Sequence, residues 1–186
     1  MKSIVTIGSK LALICAVAAI VLGLVNSVTE PAIEQNRKDE LQRALNSVVS
    51  DGTVGEELTA DDNPGIEGYY PVTGGDKKNT GYALKLIGIG YGGDMNILSY
   101  YGTDGEVKSV VLMENSETPG LGKMAEKNEY MAKFIGTGGS KPVPVRKDQL
   151  PQAEADAITG ATITFMGIAK ALDNGASFVK TLGEEK

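Results

Sequence analysis

The chain has 186 residues, 41% of them apolar, and a net charge of −6, which fits one soluble domain with an accessory segment. The acidic balance and the lack of a basic patch exclude nucleic acid as a partner. Histidine is absent and Cys15 is the single cysteine, so the chain has no imidazole base, disulfide or iron–sulfur cluster of its own. Redox chemistry on this chain therefore requires an organic cofactor.

The N-terminal segment, residues 1–28, predicts a transmembrane anchor helix. Leu11–Val25 carries no charged or strongly polar side chain, and its extension to Val28 gives about 27 Å of helix, close to a hydrocarbon core of about 30 Å. Lys2 and Lys10 precede this stretch, so the N-terminus is expected in the cytoplasm and the remainder outside the cell (inner) membrane. A cleaved secretory signal is the alternative. The long apolar run and the missing Ala-x-Ala cleavage site favour an uncleaved membrane anchor.

The segment 29–65 predicts a stalk helix followed by an acidic linker. Thr29-Glu30 is suited to cap a helix whose first position is Pro31, and apolar residues at helical spacing continue to about Ser50. Asp51-Gly52 then ends the helix. This helix is expected to continue the membrane helix outward.

The third segment, residues 66–186, predicts the extracytoplasmic domain, which opens with short antiparallel strands. Apolar residues alternate with small or polar ones, and strand formers are frequent. Thr103-Asp104-Gly105 predicts a hairpin turn, and Gly92-Gly93 predicts a bend between strands. The predicted strands are Gly81–Gly90, Met95–Tyr101 and Glu106–Met113.

Helical patterns return in the second half of the domain. Lys123–Ile135 predicts a helix, Pro142–Val145 an extended edge or loop, and Thr162–Leu182 a helix with one buried face. The predicted fold class is α+β. It is a mostly antiparallel sheet with packed helices, preceded by one N-terminal transmembrane helix.

The segment Asp156–Thr162, DAITGAT, immediately precedes the last predicted helix. Ile158 is expected at the buried end of a strand, Thr159 at the helix N-cap and Thr162 in the first turn. Gly160-Ala161 leaves the backbone uncrowded, and a helix start favours a phosphate through its N–H groups and dipole. These residues alone leave open a simple capped turn, a hydrogen-bonded phosphate site, or an ester bond on a threonine hydroxyl.

A second segment, Glu117–Gly122, reads ETPGLG. Pro119-Gly120 predicts a turn, and the glycines permit a flat ring to approach the backbone closely. Leu121 offers an apolar contact and Thr118 a hydrogen bond. An ordinary surface turn is the alternative interpretation.

Both segments resemble motifs of the FMN-binding domain family. Asp156-x-x-Thr159-Gly160-Ala161-Thr162 is similar to the family's flavinylation motif, and ETPGLG is similar to its loop against the flavin. The resemblance implies that a flavin transferase attaches FMN covalently to Thr162 by a phosphoester. It also implies a recognition segment and a flavin-binding loop, which are Asp156, Thr159, Gly160 and Ala161, and Glu117, Thr118, Pro119, Gly120, Leu121 and Gly122.

The layout of the whole chain resembles the flavin-carrying subunits of membrane-bound, ion-translocating ferredoxin:NAD oxidoreductases of the Rnf type. This implies an electron relay without independent substrate chemistry, whose partners are other membrane and peripheral subunits of a multi-subunit redox complex. Three alternatives stay open: the corresponding subunit of a sodium-translocating NADH:quinone reductase, a stand-alone extracytoplasmic flavin reductase, and a non-redox anchored ligand-binding module.

Several further residues carry expectations from the same patterns. Family members often have histidine at the place of Asn115, so a proton-handling role there is in doubt. Among the tyrosines, Tyr82 and Tyr91 are expected nearest the flavin. Asp61-Asp62 and Glu184-Glu185 are expected to be solvated acidic surface, and no metal site is predicted.

Overall fold

The computed structural model describes residues 2–60, 63–76 and 78–184. The chain forms two compact units, Met1–Arg43 and Ala44–Lys186. The expected acidic surface at Asp61-Asp62, at Glu185 and at the side chain of Glu184 lies outside the described residues. The boundaries at 28/29 and 65/66 stay predictions.

Helix α1 (Lys2–Val48) runs without a break through the predicted anchor and stalk. It is long and apolar enough to cross a membrane, with a mean hydropathy of 2.6 over its most apolar 18 residues, none of them buried. The predicted helix start at Thr29–Pro31 is wrong, because Pro31 lies inside α1. Its missing N–H removes one helical hydrogen bond, which a long helix tolerates. The Thr29 hydroxyl instead donates to the Val25 carbonyl at 2.9 Å.

In the part of the chain that the structure describes, five strands form one antiparallel sheet in which each strand pairs with the next. The predicted α+β class is therefore confirmed. The sequence patterns did not indicate the first strand, whose two residues lie in the acidic linker and are held by pairing rather than by an apolar face. The strands are β1 (Thr53–Val54), β2 (Ile66–Thr73), β3 (Asn79–Ile89), β4 (Asp94–Gly102) and β5 (Val107–Leu112).

The turns of the sheet follow the glycine signals. β3 and β4 pair up to Ile89 and Asp94, and Gly92-Gly93 lies in the bend that joins them. The predicted turn at residues 103–105 joins β4 to β5, with Gly105 at φ 80° in the left-handed region that glycine adopts without strain. These two turns are confirmed.

Helix α4 (Thr162–Glu184) packs against β3 and β4 and confirms the predicted last helix. The Tyr101 hydroxyl on β4 donates to the Leu172 carbonyl at 3.0 Å. A Cβ at Gly167 would overlap the Ile89 carbonyl, so this glycine permits the start of α4 to approach the end of β3. Each fully buried apolar side chain contributes roughly 1.5–3 kcal/mol. The large ones on α4 include Phe165, Ile168, Leu172 and Val179, and those on the sheet include Leu84, Leu86 and Ile97.

The segment between the sheet and α4 is less regular than predicted. The expected helix at Lys123–Ile135 is broken into a 3-10 turn, helix α2 (Asn128–Met131) and a second 3-10 turn, because Lys127 is extended at φ −81°, ψ 134°. The break accompanies burial of Phe134, whose ring stacks on Phe165 at 5.3 Å. Pro142–Val145 is a loop, as expected.

The last connection before α4 also differs from expectation. Ile158 is buried, but it follows helix α3 (Gln152–Ala157) instead of ending a strand. α3 places the motif segment 156–162 across the turn that leads into α4.

Candidate functional site

The two motif segments meet at the start of α4. Their residues line a pocket of about 430 Å³, a volume within the range of small-molecule sites. The β3–β4 bend completes the wall through Tyr91. The lining residues are Tyr91, Glu117, Thr118, Leu121, Gly122, Gly160, Ala161, Thr162, Ile163 and Thr164. Of the predicted residues, Asp156, Thr159, Pro119 and Gly120 do not line this pocket.

Thr162 is the first residue of α4, half-buried in the pocket wall. Within the described residues its hydroxyl has no hydrogen-bond partner. The predicted N-cap at Thr159 is wrong: the Ala161 carbonyl accepts the first helical bond, from the Phe165 N–H at 3.0 Å. Gly160 turns the chain at φ 91°, the left-handed region that disfavours other residues. The turn thus leaves the Thr162 hydroxyl available for chemistry.

Glu117 is a buried acid that joins three segments around the pocket. Its side chain is 3% exposed, and its carboxylate accepts a hydrogen bond from the Gly92 N–H at 2.9 Å and from the Thr164 hydroxyl at 2.6 Å. One residue therefore fastens the β3–β4 bend, the 117–122 loop and the first turn of α4. Its carboxylate oxygens are occupied by the protein, so Glu117 holds the pocket together from within its wall.

Two glycines make room for this carboxylate. A Cβ at Gly90 would overlap Oε1 of Glu117, and a Cβ at Gly122 would overlap Oε2. The Glu117 N–H donates to Oδ1 of Asn115 at 3.1 Å, and Nδ2 of Asn115 donates to Glu126 at 3.0 Å. Asn115 thus holds the backbone of the loop.

The outer part of the 117–122 loop is a tight turn, as predicted. The N–H groups of Leu121 and Lys123 both donate to the Thr118 carbonyl at 3.2 Å, and Gly120 has φ 79°. Thr118, Pro119 and Gly120 are exposed. The turn directs Leu121 toward Gly160 across the pocket.

The rim of the pocket is apolar and exposed. Tyr91 is 74% exposed, Leu121 45% and Ile163 54%, which is unusual for three large side chains around one pocket. Such a rim fits a flat aromatic ring that stacks or packs on it. Tyr82, by contrast, is buried in the core beside Tyr69, with 6.1 Å between ring centroids. Tyr82 therefore does not line the pocket, whereas Tyr91 does, and the nearness of either residue to a flavin stays a prediction.

A second cleft, of about 780 Å³, shares Thr162 with this pocket, and we call it the cation cleft. It is lined by Arg146, Lys147, Asp148, Leu150, Gln152, Ala155, Asp156, Thr162 and Met166. Nζ of Lys147 donates to the Thr159 hydroxyl at 2.8 Å. Asp156 accepts from the Gln152 amide at 2.9 Å and belongs to this cleft. Sequence patterns did not predict a role for Arg146 or Lys147, because only the tertiary fold places these two residues next to the 156–162 segment.

Comparison with known families defines the class of this site. The family model of the FMN-binding domain matches residues 90–177, which include both motifs and every pocket residue, and the model of the RnfG N-terminal region matches residues 1–48. The chain thus combines an FMN-binding domain with the N-terminal region of a membrane-complex subunit.

Full-length relatives identify the particular family. The chain is 30% identical to the G subunit of the ion-translocating oxidoreductase complex of Shewanella baltica, over 90% of this chain and 85% of that one. It is 26% identical to the G subunit of the proton-translocating ferredoxin:NAD(+) oxidoreductase complex of Clostridium ljungdahlii, over 97% and 94%. The chain belongs to the family of G subunits of ion-translocating oxidoreductase complexes. The crystal structure of Shewanella oneidensis NqrC matches 70% of each chain with a TM-score of 0.48 and 17% identity.

Proposed function

We propose that this chain carries FMN covalently on Thr162 and relays electrons within a membrane-bound, ion-translocating oxidoreductase complex of the Rnf type. The observation that carries the proposal is the unpartnered Thr162 hydroxyl, in the described part of the chain, at the point where the two motif segments converge. Family membership supports the complex, and the FMN-binding domain supports the cofactor.

Attachment requires a donor with an activated FMN phosphate, such as FAD, and a flavin transferase. The Thr162 oxygen forms a bond to the phosphorus of the FMN half. The phosphoanhydride bond breaks, AMP leaves, and the hydroxyl proton passes to a base of the transferase. No electron is exchanged in this step. The chain itself contains no histidine to act as that base, which is consistent with a separate maturation enzyme.

The pocket residues fit the proposed group. Gly160 is exposed and leaves its backbone accessible, and the apolar rim of Tyr91, Leu121 and Ile163 matches a flat ring. Bound FMN supplies the one-electron chemistry that no side chain here provides. The chain would fix the position of FMN through Thr162. The hydrogen bonds of Glu117 to Gly92 and Thr164 hold together the β3–β4 bend, the 117–122 loop and the first turn of α4 around the pocket.

The proposed setting is a single-pass protein of the cell (inner) membrane. Helix α1 has the length and hydropathy of a span, and Lys10 precedes its apolar part. The proposed orientation has a cytoplasmic N-terminus and an extracytoplasmic FMN domain. A covalent bond suits that location, because a dissociated flavin would be lost to the medium. Proposed partners are the other membrane and peripheral subunits, the transferase and lipid.

Coexpression with a flavin transferase, followed by a denaturing gel viewed under ultraviolet light, tests the attachment. The wild-type chain is expected to show a fluorescent band, and Thr162→Ala is expected to show none. Thr181→Ala, near the far end of the same helix, is the matched control and should keep the band. A dark wild-type band would refute the attachment and favour a non-redox module. A bright Thr162→Ala band would refute Thr162 as the attachment residue and indicate that flavin is bound to another residue.

Purification of the tagged chain from native membranes tests the relay. Co-purification with other subunits of a redox complex supports it. A chain that purifies alone, with flavin attached and with reductase activity toward soluble acceptors, would instead identify a stand-alone reductase.

A further inference from the structure

Thr162 lines both the pocket of about 430 Å³ and the cation cleft. The rim suited to an aromatic ring belongs to the pocket, and the cationic side chains of Arg146 and Lys147 belong to the cleft. If FMN were attached to the Thr162 hydroxyl, a phosphodiester would link its ring system to the threonine. Because Thr162 also lines the cation cleft, the negative charge of this phosphodiester would lie next to that cleft.

The charges of the cleft are not equally available. Arg146 forms two hydrogen bonds to Asp148, at 2.8 and 3.2 Å, so its charge is paired. Asp156 is bonded to the Gln152 amide. Lys147, among the residues that the structure describes, has no carboxylate within 4.0 Å. Within the described residues, Lys147 is therefore the cation of this cleft that an added anion can use.

The ammonium of Lys147 is also positioned. It carries three N–H donors, and one of them is directed to the Thr159 hydroxyl at 2.8 Å. Two donors remain for oxygens of a ligand. Thr159 lies three residues before Thr162, so the same hydroxyl that anchors the ammonium belongs to the motif that carries the attachment residue.

We propose that Lys147 is the phosphate-binding residue of this domain, which neutralises the phosphodiester on Thr162 while Thr159 holds its ammonium in place. The inference rests on the proposed flavin attachment and adds a subsite to it. It gives Thr159 a role in the folded domain, namely to position Lys147.

A merely structural role is the competing explanation, since the Lys147–Thr159 bond also ties the 3-10 turn at Lys147–Gln149 to the turn before α4. The two explanations differ in what flavin loading does. A structural bond stabilises the apo and loaded proteins equally. A phosphate contact stabilises the loaded protein only.

The experiment measures the melting temperature of the full chain in detergent before and after loading by a flavin transferase, with FAD as donor. The variants are Lys147→Gln, which keeps a hydrogen-bond donor but loses the charge, and Lys147→Arg, which keeps the charge. Lys170→Gln, an exposed lysine on α4 that lines a different groove, is the matched control. The quantity compared is the rise in melting temperature on loading, in which effects on the apo protein cancel.

Lys147→Gln is expected to reduce the rise in melting temperature on loading by about 3 °C, whereas Lys147→Arg and Lys170→Gln should show the same rise as the wild type. Added salt should make the rise in the wild type smaller. Failure of Lys147→Gln to load, with normal loading of Lys147→Arg, also supports the proposal. An equal rise in Lys147→Gln and wild type overturns it, as does failure of both Lys147 variants to load. A wild-type chain that takes no flavin refutes the attachment itself, which separates the two failures.

Discussion

Replacing Thr164 by valine removes one hydrogen bond from the buried carboxylate of Glu117 with almost no change of shape. Thr164 is 1% exposed and Glu117 is 3% exposed, and Oγ1 and Oε2 are 2.6 Å apart, so the packing leaves no room for water to replace the hydroxyl. A hydrogen bond to a charged group contributes about 1.5–3 kcal/mol, and the orphaned oxygen is costly. We expect the free energy of unfolding of the apo protein to fall by about 2–3 kcal/mol.

Scanning calorimetry of the full chain measures this loss. For a unit of this size the loss corresponds to a decrease of roughly 5–10 °C in melting temperature. Thr162→Val, an isosteric change on the same turn at a hydroxyl without a partner in the described residues, should stay within about 0.5 kcal/mol. Thr164→Ser keeps the hydroxyl and should lose only about 1 kcal/mol for its buried methyl group.

The reasoning is refuted if Thr164→Val costs no more than Thr164→Ser. A second measurement reports on position. Because Glu117 also accepts from the Gly92 N–H, a loosened carboxylate should speed hydrogen exchange at that amide. If Thr164→Val causes a large loss of stability but leaves hydrogen exchange at the Gly92 amide unchanged, then Glu117 does not couple the β3–β4 bend to the first turn of α4.

Three further outcomes are expected. Gly122→Ala should lower the melting temperature, with a cost of about 1–3 kcal/mol, because its Cβ overlaps the Glu117 carboxylate; Gly75→Ala, which meets open space, should not. Tyr91→Ala, at a 74% exposed side chain, should leave apo stability within about 0.5 kcal/mol but alter the emission of the attached flavin. Burial raises the pKa of three tyrosines in the folded protein. The free energy of unfolding should therefore be constant below the unfolded-state pKa of about 10 and should fall as the pH rises above it. Ultraviolet difference absorbance should show that these tyrosines ionise only when the protein unfolds. The three are Tyr70, Tyr101 and Tyr130.

Local periodicity predicted the regular elements because their patterns repeat over many residues. The apolar face of α4, the alternation along β3 and the turn at residues 103–105 each carry several concordant signals. Short or irregular elements were missed. β1 has only two residues, and the 122–134 segment bends at Lys127 so that Phe134 meets Phe165. Local sequence does not encode that tertiary contact.

The motif sequence predicted which residues converge, but not how they are connected. The bonds that build the site join residues 25, 47 and 12 positions apart, from Glu117 to Gly92 and Thr164 and from Lys147 to Thr159. One signal was present. Thr164 lies on the buried face of α4, four residues before Ile168, and a hydroxyl there needs a partner. The only acid near the motifs with a buried side chain, within the described residues, is that partner.

The central claim is the covalent bond at Thr162, and peptide mass spectrometry of the full chain, coexpressed with a flavin transferase, tests it most directly. The fragment between Lys147 and Lys170 contains three hydroxyl candidates before or in the first turn of α4, Thr159, Thr162 and Thr164. We expect the mass of FMN less one water on Thr162, with the other two threonines unmodified. An unmodified fragment, or the added mass on either neighbouring threonine, would contradict the account.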